Sequence, residues 1–230
     1  MGILFAIVLA YFLGSIPFSV WLGKAFRGID LREYGSANPG ATNAFRVLGK
    51  KIGITILCLD ILKGLAAVIV IPAILRLGHG SGVELTCGIA AILGHVYSCW
   101  LNFHGGKGVA TSLGVFLAIA PKTMTFLFIL AMAIIGLTGY VSLASIVGAV
   151  LLPVFLYFAH RDWFILLAGV IVALMVIFRH QTNLMRLFAG KEKKLFDRDP
   201  NLEADAQRIP PIDSPDSPHS RPASPARHPE

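Results

Sequence analysis

The sequence predicts an all-α membrane protein, a bundle of about seven transmembrane helices. Hydrophobic residues make up 55% of its 230 residues and charged residues only 14%, and the mean hydropathy is +0.71. An average soluble domain carries roughly 25% charged residues. A helix needs about 20 apolar residues to cross the ~30 Å hydrocarbon core of a bilayer. Apolar stretches near this length lie at about 3–24, 52–76, 84–103, 107–120, 123–138, 141–159 and 163–180.

The two ends of the chain differ in composition. The first apolar stretch has no basic residues before it and runs into GSIPFSVWLGK, which is not a small-residue cleavage site, so we expect a mature helix. The membrane domain is expected to cover 1–200. The remaining segment, 201–230, is rich in Pro and Ser, a composition typical of disordered segments, and is expected to be a disordered cytoplasmic tail.

The net charge of +7 is concentrated in two segments, one after the first apolar stretch and one after the last. The loops on the other side carry only Arg76, Lys122 and Arg161. The positive-inside rule therefore places the two basic segments in the cytoplasm, and an odd number of spans places the N-terminus outside. This distribution predicts contact with a lipid bilayer and no nucleic-acid partner. The basic residues are Lys24, Arg27, Arg32, Arg46, Lys50 and Lys51 in the first segment, and Arg179, Arg186, Lys191, Lys193, Lys194 and Arg198 in the second.

No metal or organic cofactor is expected from the sequence. Cys58, Cys87 and Cys99 fall in or beside predicted spans without metal-ligand spacing. The polar residues of the spans have a simpler interpretation. Asp60 and Lys63 are spaced as an i, i+3 ion pair that neutralises itself, and His95 is interpreted as a hydrogen-bonding residue of the bundle.

Two polar segments rich in glycine are typical of anion binding. The loop YGSANPGATNAFR can form a nest of backbone amides, although a flexible basic loop at an anionic leaflet is the alternative. In the second segment, the turn Gly-Gly-Lys-Gly precedes a predicted helix, whose N-terminus favours phosphate. The spacing is not that of a Walker motif, so nucleotide hydrolysis is not inferred. The candidate phosphate-binding residues are Ser36, Asn38, Thr42, Asn43 and Arg46 in the loop, and Gly105, Gly106 and Lys107 in the turn.

Two further pairs of polar residues lie at predicted helix ends. Ser142 and Ser145 share a helix face at i, i+3, and the alternative is hydrogen bonding within the bundle. His180 and Asn183 share a face just beyond the last span, where they offer a hydrogen-bond donor and a possible proton carrier. A basic interfacial anchor is the alternative for this segment, but it explains only the arginines.

These segments together resemble one family of membrane enzymes. The runs GSIPFSVWLGK, YGSANPGATNAFRVLGKK, LDILKG, GHVYSCWLNFHGGKGVATSLGV, YVSLASI and RHQTNLMRLFAGKE are similar, in order from about residue 10 to 192, to the bacterial acyl-phosphate:glycerol-3-phosphate acyltransferases. The chain departs from the family pattern at Ala37, Ser98 and His104, where Gly, Pro and a basic residue respectively are common.

The resemblance implies an enzyme of the bacterial inner membrane. It would transfer a fatty acyl group from acyl phosphate to the 1-hydroxyl of glycerol 3-phosphate, giving lysophosphatidic acid, the first acylation step of phospholipid synthesis. A cytoplasmic acyltransferase that makes acyl phosphate is an expected transient partner. The loop and turn residues named above would bind phosphate, Ser145 would line the site, and the catalytic residues would be Lys107, Ser142, His180 and Asn183.

The sequence leaves the proton acceptor open. The clusters contain no Ser-His-Asp arrangement, and acyl phosphate already has a good leaving group. We therefore expect direct attack by the glycerol hydroxyl with substrate phosphate accepting the proton, and His180 as general base is the rival. A transporter of phosphate or a phosphorylated solute is the alternative function, but no second copy of either glycine-rich segment is detected. A structural scaffold would leave the polar clusters unexplained.

Overall fold

The computed structural model describes residues 1–77, 81–159 and 162–196, so the predicted tail at 201–230 lies outside the described residues. Within these ranges the regular structure is entirely helical, which confirms the all-α prediction. Two short 3-10 turns, Leu31–Glu33 and Cys99–Leu101, accompany the α-helices. These are α1 (Gly2–Ser15), α2 (Phe18–Arg27), α3 (Ala41–Val47), α4 (Lys50–Ile74), α5 (Ser81–Val96), α6 (Val109–Ile119), α7 (Pro121–Thr138), α8 (Val141–Ala159), α9 (Trp163–Arg179) and α10 (Gln181–Phe188).

Most predicted spans correspond to helices that can cross a bilayer. Among the described residues, five helical stretches are long and apolar enough: Gly2–Arg27, Lys50–Ile74, Gly82–Leu101, Pro121–Thr138 and Val141–Ala159. A sixth crossing results if α9 and α10, which are bent by 60° relative to each other, are counted as one span.

The remaining predicted span, 107–120, contains the short helix α6. Its 11 residues correspond to about 16 Å at 1.5 Å per residue, roughly half of a ~30 Å hydrocarbon core. The helix ends at Ala120, whose φ of −134° leaves the helical region, and Pro121 then begins α7. The short helix α6 therefore starts directly after the glycine-rich turn, and its N-terminal amides lie next to Lys107.

Local sequence signals explain several other helix ends. Pro17 disfavours the helical conformation at Ile16, whose ψ of 115° ends α1. Gly139, with a φ of 79°, adopts the left-handed conformation that commonly ends a helix and terminates α7. Asp162 caps α9 by accepting a hydrogen bond of 2.8 Å from the Phe164 amide.

The described chain divides into two compact units. The larger contains Met1–Pro17 and residues 57–196, and the smaller contains Phe18–Ile56. The smaller unit has its own apolar core, which contains Ile29, Leu31, Ala44 and Leu48.

Glycines let helices of the larger unit approach closely. A Cβ added at Gly14 would lie 2.0 Å from the Ala91 carbonyl oxygen, so α1 and α5 meet backbone to backbone. A Cβ added at Gly114 would lie 2.0 Å from the Ile61 oxygen, so α4 and α6 also meet backbone to backbone. Close approach through small residues is the usual packing mode of membrane helices, and here it fixes the position of α6.

Candidate active site

The Gly-Gly-Lys-Gly turn is held by backbone hydrogen bonds on both sides. The Gly105 amide donates to the Val96 oxygen over 2.9 Å, and the Gly106 amide donates to the His95 oxygen over 3.0 Å. On the other side, Arg179 Nη2 donates to the Gly105 and Gly106 oxygens over 3.1 and 3.3 Å. The amides of both glycines are therefore already hydrogen-bonded. These residues set the course of the backbone and do not donate to an anion.

The donors for an anion lie one step further along the chain. The first hydrogen bond of the α6 ladder joins the Ser112 amide to the Gly108 oxygen over 2.8 Å. The amides of Val109, Ala110 and Thr111 precede this ladder and point out of the helix end. The prediction of a helix N-terminus next to Lys107 is thus matched by the structure, with the amide donors in α6 itself.

Lys107 contacts a residue 76 positions away in the sequence. Its Nζ donates to Asn183 Oδ1, and Asn183 is buried, with 7% of its surface exposed. Asn183 Nδ2 donates over 2.6 Å to Glu192 Oε1, and Arg186 Nε donates over 2.8 Å to Glu192 Oε2. The structure therefore brings two separately predicted residues, Lys107 and Asn183, into one polar network.

Glu192 belongs to this network, although no pattern in the sequence indicated a role for it. After α10 ends, Gly190 adopts a φ of 65° and reverses the chain, so that Glu192 returns to the helix it has just left. Its side chain is 5% exposed. A glycine just past a polar helix end is the signal of such a reversal.

The charge state of Glu192 follows from its partners. Burial by itself raises the pKa of this carboxyl, but the hydrogen bonds from Arg186 and Asn183 outweigh burial, so its pKa lies below the usual range. The Ser142 hydroxyl contributes to the same lowering, although that hydroxyl makes no hydrogen bond of ordinary geometry to another described residue. Ser142 therefore lies beside the network with its hydroxyl buried next to Glu192.

We expect Glu192→Gln to lower the thermal unfolding midpoint at pH 7 in detergent, because the amide loses the charge that Arg186 and Asn183 stabilise. A carboxyl with a lowered pKa contributes stability that is complete well above its ordinary pKa of 4.5 and is lost as the pH falls through the lowered value. The difference in unfolding midpoint between wild type and variant should therefore shrink as the pH falls through the lowered pKa of Glu192. Glu33→Gln, at an exposed carboxylate, is the control. A gap that stays constant on acidification would contradict the assigned charge interaction.

The other predicted serine has a different environment. Ser145 Oγ donates over 2.8 Å to the Val141 oxygen in its own helix, as the bundle-bonding alternative expected. The segment after α10 docks at the start of the same helix, where the Leu195 amide donates over 2.8 Å to the Gly139 oxygen. Ser142, rather than Ser145, is thus the serine whose buried hydroxyl lies beside Glu192 and makes no hydrogen bond within its own helix.

His180 lies at the bend between α9 and α10 and is 4% exposed. Its Nδ1 lies 2.8 Å from the Val176 oxygen. Because a carbonyl can only accept, Nδ1 is assigned the proton in the neutral ring and Nε2 is left as an acceptor. This tautomer is the one that a general base requires.

In the smaller unit, Asn43 organises the loop predicted to bind phosphate. Its Oδ1 accepts from the Ser36 amide over 2.9 Å, and its Nδ2 donates to the Leu31 and Tyr34 oxygens over 3.3 and 3.0 Å. With 2% exposure, the Asn43 side chain shapes the loop instead of facing a ligand. The remaining candidates of this loop are more accessible: Ser36 is exposed, and Asn38, Thr42 and Arg46 are half-buried.

Position 37, where the resemblance described above expects Gly, carries Ala at a structural cost. Ala37 adopts a φ of 57°, in the left-handed region that glycine enters freely. A non-glycine residue there costs roughly 1 kcal/mol or more. The loop keeps its conformation because Asn43 bonds it on three sides.

Comparison with known proteins places this geometry in a family. The family described as Glycerol-3-phosphate acyltransferase matches residues 4–190. The chain belongs to this family. A glycerol-3-phosphate acyltransferase of Fusobacterium nucleatum is 50% identical over 188 residues, which cover 82% of this chain and 95% of that protein. The corresponding protein of Aquifex aeolicus is 40% identical over 194 residues, with coverages of 84% and 100%.

Solved structures of the family share the fold. One is a crystal structure of PlsY, an integral membrane glycerol 3-phosphate acyltransferase, in its glycerol 3-phosphate form. It is 40% identical with a TM-score of 0.78, covering 84% of this chain and 96% of that chain. The lysophosphatidic acid form is 37% identical with a TM-score of 0.74, with coverages of 84% and 95%. The present chain is therefore an acyltransferase with a multi-pass membrane fold.

Proposed function

We propose that this chain transfers a fatty acyl group from acyl phosphate to the 1-hydroxyl of glycerol 3-phosphate, giving lysophosphatidic acid and inorganic phosphate. The observation that carries the proposal is the Lys107–Asn183 contact beside the N-terminus of α6. A cation, an amide side chain and helix-end amides together match the charge and the donor requirements of a phosphate. The related structures with glycerol 3-phosphate and with lysophosphatidic acid support the same substrate and product.

The reaction needs little covalent participation from the protein. The glycerol oxygen attacks the acyl carbon and forms the ester bond, and the bond between the acyl carbon and the phosphate oxygen breaks. The departing phosphate takes the hydroxyl proton, so atoms and charge balance. The protein then contributes by holding both substrates in line and by neutralising phosphate charge.

The candidate residues that remain have the following roles in this scheme. Lys107 neutralises phosphate charge, and Asn183 and Ser142 orient a substrate by hydrogen bonds. Glu192 fixes Asn183, with which it shares a hydrogen bond. In the smaller unit, the residues proposed to bind phosphate are Ser36, Asn38, Thr42 and Arg46.

A donor comparison tests the proposal. Purified protein in detergent is incubated with glycerol 3-phosphate and either palmitoyl phosphate or palmitoyl-CoA, and lysophosphatidic acid and released phosphate are measured. We expect product from the acyl phosphate alone, with one phosphate released per product. Product from the thioester alone would refute the proposed donor. Uptake of glycerol 3-phosphate by proteoliposomes without any product would instead support the transporter alternative.

The same assay distinguishes the two proton acceptors. One observation favours His180 as the general base: its Nδ1 contacts the Val176 oxygen, which leaves Nε2 as the acceptor of the ring. A His180→Gln variant that keeps most of kcat would exclude His180 as the base. A variant that loses kcat at unchanged KM would assign it that role.

We also propose the orientation predicted from the charges, with the C-terminal basic segment and the site facing the cytoplasm of a bacterial inner membrane. Arg179, Arg186 and the lysines that follow support it. Acyl phosphate made in the cytoplasm would then reach the site directly, and contact with the enzyme that makes it would be transient.

A further inference from the structure

Three ionisable side chains are buried between α4 and α5, outside the site described above. Asp60, Lys63 and His95 are 3%, 4% and 8% exposed. Burying such groups in a membrane bundle is unfavourable unless they are paired, and those that persist usually serve function. We call these three residues the buried charge cluster.

The contacts of the cluster exceed those of a simple ion pair. Lys63 Nζ lies 2.7 Å from Asp60 Oδ1, and His95 Nδ1 lies 3.6 Å from the same oxygen. Lys63 Nζ also donates over 2.9 Å to the oxygen of Ile16, at the end of α1. The cluster therefore ties three helices together, whereas self-neutralisation of Asp60 and Lys63 would explain neither the histidine nor the contact with α1.

The opposite edge of the His95 ring faces the turn that precedes Lys107. A Cβ added at Gly106 would lie 2.2 Å from His95 Nε2, so the ring packs directly on the Gly106 backbone. The Gly106 amide bonds to the His95 oxygen, and Arg179 bonds to the Gly106 oxygen. The turn is thus clamped between His95 on one side and Arg179 on the other.

We propose that the buried charge cluster positions the Gly105–Gly106 turn, and with it Lys107 and the first turn of α6, for phosphate binding. Asp60 holds the Nδ1 edge of His95, which sets the orientation of the ring against Gly106. Lys63 balances the Asp60 charge and fastens the carboxylate to α1. All three are positioning residues that touch no substrate. The proposal rests on the proposed function only in that phosphate is what Lys107 and the first turn of α6 bind.

A variant that removes both charges separates positioning from stability. Removing one member of a buried pair leaves an uncompensated charge, but replacing both with apolar residues of similar size is often tolerated. Asp60→Leu/Lys63→Met should therefore fold, with a thermal unfolding midpoint close to that of wild type. The His95 ring in this variant has lost the partner that sets its orientation.

Kinetics of this double variant test the proposal. KM for each substrate and kcat are measured for wild type, the double variant and Lys107→Met. Lys107→Met should raise the KM of one substrate. We expect the double variant to raise the KM of that same substrate about ten-fold and to change kcat by less than about three-fold. Thr123→Val, at a buried polar residue of α7, is the control and should leave both KM values unchanged. Unchanged KM values in a folded double variant would overturn the proposal.

Two further measurements keep the test decisive. His95→Phe keeps a ring but loses Nδ1, while the Asp60–Lys63 pair stays intact. It should raise the same KM, and wild-type KM values in this variant would also overturn the proposal. The increase in the thermal unfolding midpoint on adding inorganic phosphate gives a readout that does not depend on acyl transfer. We expect a weaker effect in both cluster variants, whereas an effect equal to that of wild type would count against positioning even if the proposed reaction failed.

Discussion

Lys107→Met is expected to lower kcat/KM for acyl transfer by about a thousand-fold, the upper end of what losing one electrostatic contact to a reacting anion costs. Methionine preserves most of the side-chain volume but removes the charge that meets Asn183 beside the N-terminus of α6. The measurement is steady-state product formation with both substrates varied in turn. The N-terminus of α6 cannot compensate for the lost lysine charge, because a helix N-terminus carries only about half a unit charge.

Lys191→Met is the matched control for this variant. Lys191 is an exposed lysine of the C-terminal basic segment, so its loss changes the net charge by the same amount as the loss of Lys107. It should retain the kcat/KM of wild type. If both lysine variants lost activity to the same degree, a general surface-charge effect would replace the assigned role of Lys107.

Gly105→Ala is expected to reduce kcat/KM by about a hundred-fold, the cost of misplacing reacting groups by about 1 Å. Its Cβ would lie 2.0 Å from the His95 oxygen and 2.9 Å from the Val96 oxygen, and neither backbone atom can move aside as a flexible side chain could. The turn must shift, which breaks the Gly105–Val96 hydrogen bond and displaces Lys107. Activity and the thermal unfolding midpoint are measured together.

Gly148→Ala provides the control, since a Cβ there meets no described atom within 4 Å apart from its chain neighbours and the backbone of its own helix. In the interior of α8, alanine should raise stability by up to about 1 kcal/mol and leave activity unchanged. An active Gly105→Ala enzyme would show that the turn tolerates displacement, and the importance of its geometry would then be refuted.

The helices were largely predictable from local signals. Composition identified the bilayer as solvent, and breaks at Pro17, Gly139 and Pro121 set helix ends. The length of α6 was not predictable in the same way, because an apolar run of 107–120 reads as a span whether or not its first residues are helical. The structure shows that Gly105 and Gly106 bond back to α5, which delays the helix until Val109.

The candidate site was predicted in part. Residue types identified Lys107, Ser142, His180 and Asn183 as polar groups in unusual places, and the structure joins Lys107 to Asn183. Ser142 and Ser145 look equivalent in sequence, yet only Ser145 satisfies its hydroxyl within its own helix. That difference depends on rotamer and neighbours, which no periodicity encodes.

The all-α membrane fold and the polar residues proposed to bind phosphate were already evident from residue types and their spacing. Hydrophobicity and helix signals act on neighbouring residues, so they can be evaluated before the chain is packed. The tertiary structure determines which polar groups contact one another. It turned Glu192 back onto Asn183 and Arg186, and it connected Asp60 through His95 to Gly106. The physical reason is that hydrogen bonds and ion pairs act over about 3 Å, so their partners are set by how the helices pack and not by their order in the chain.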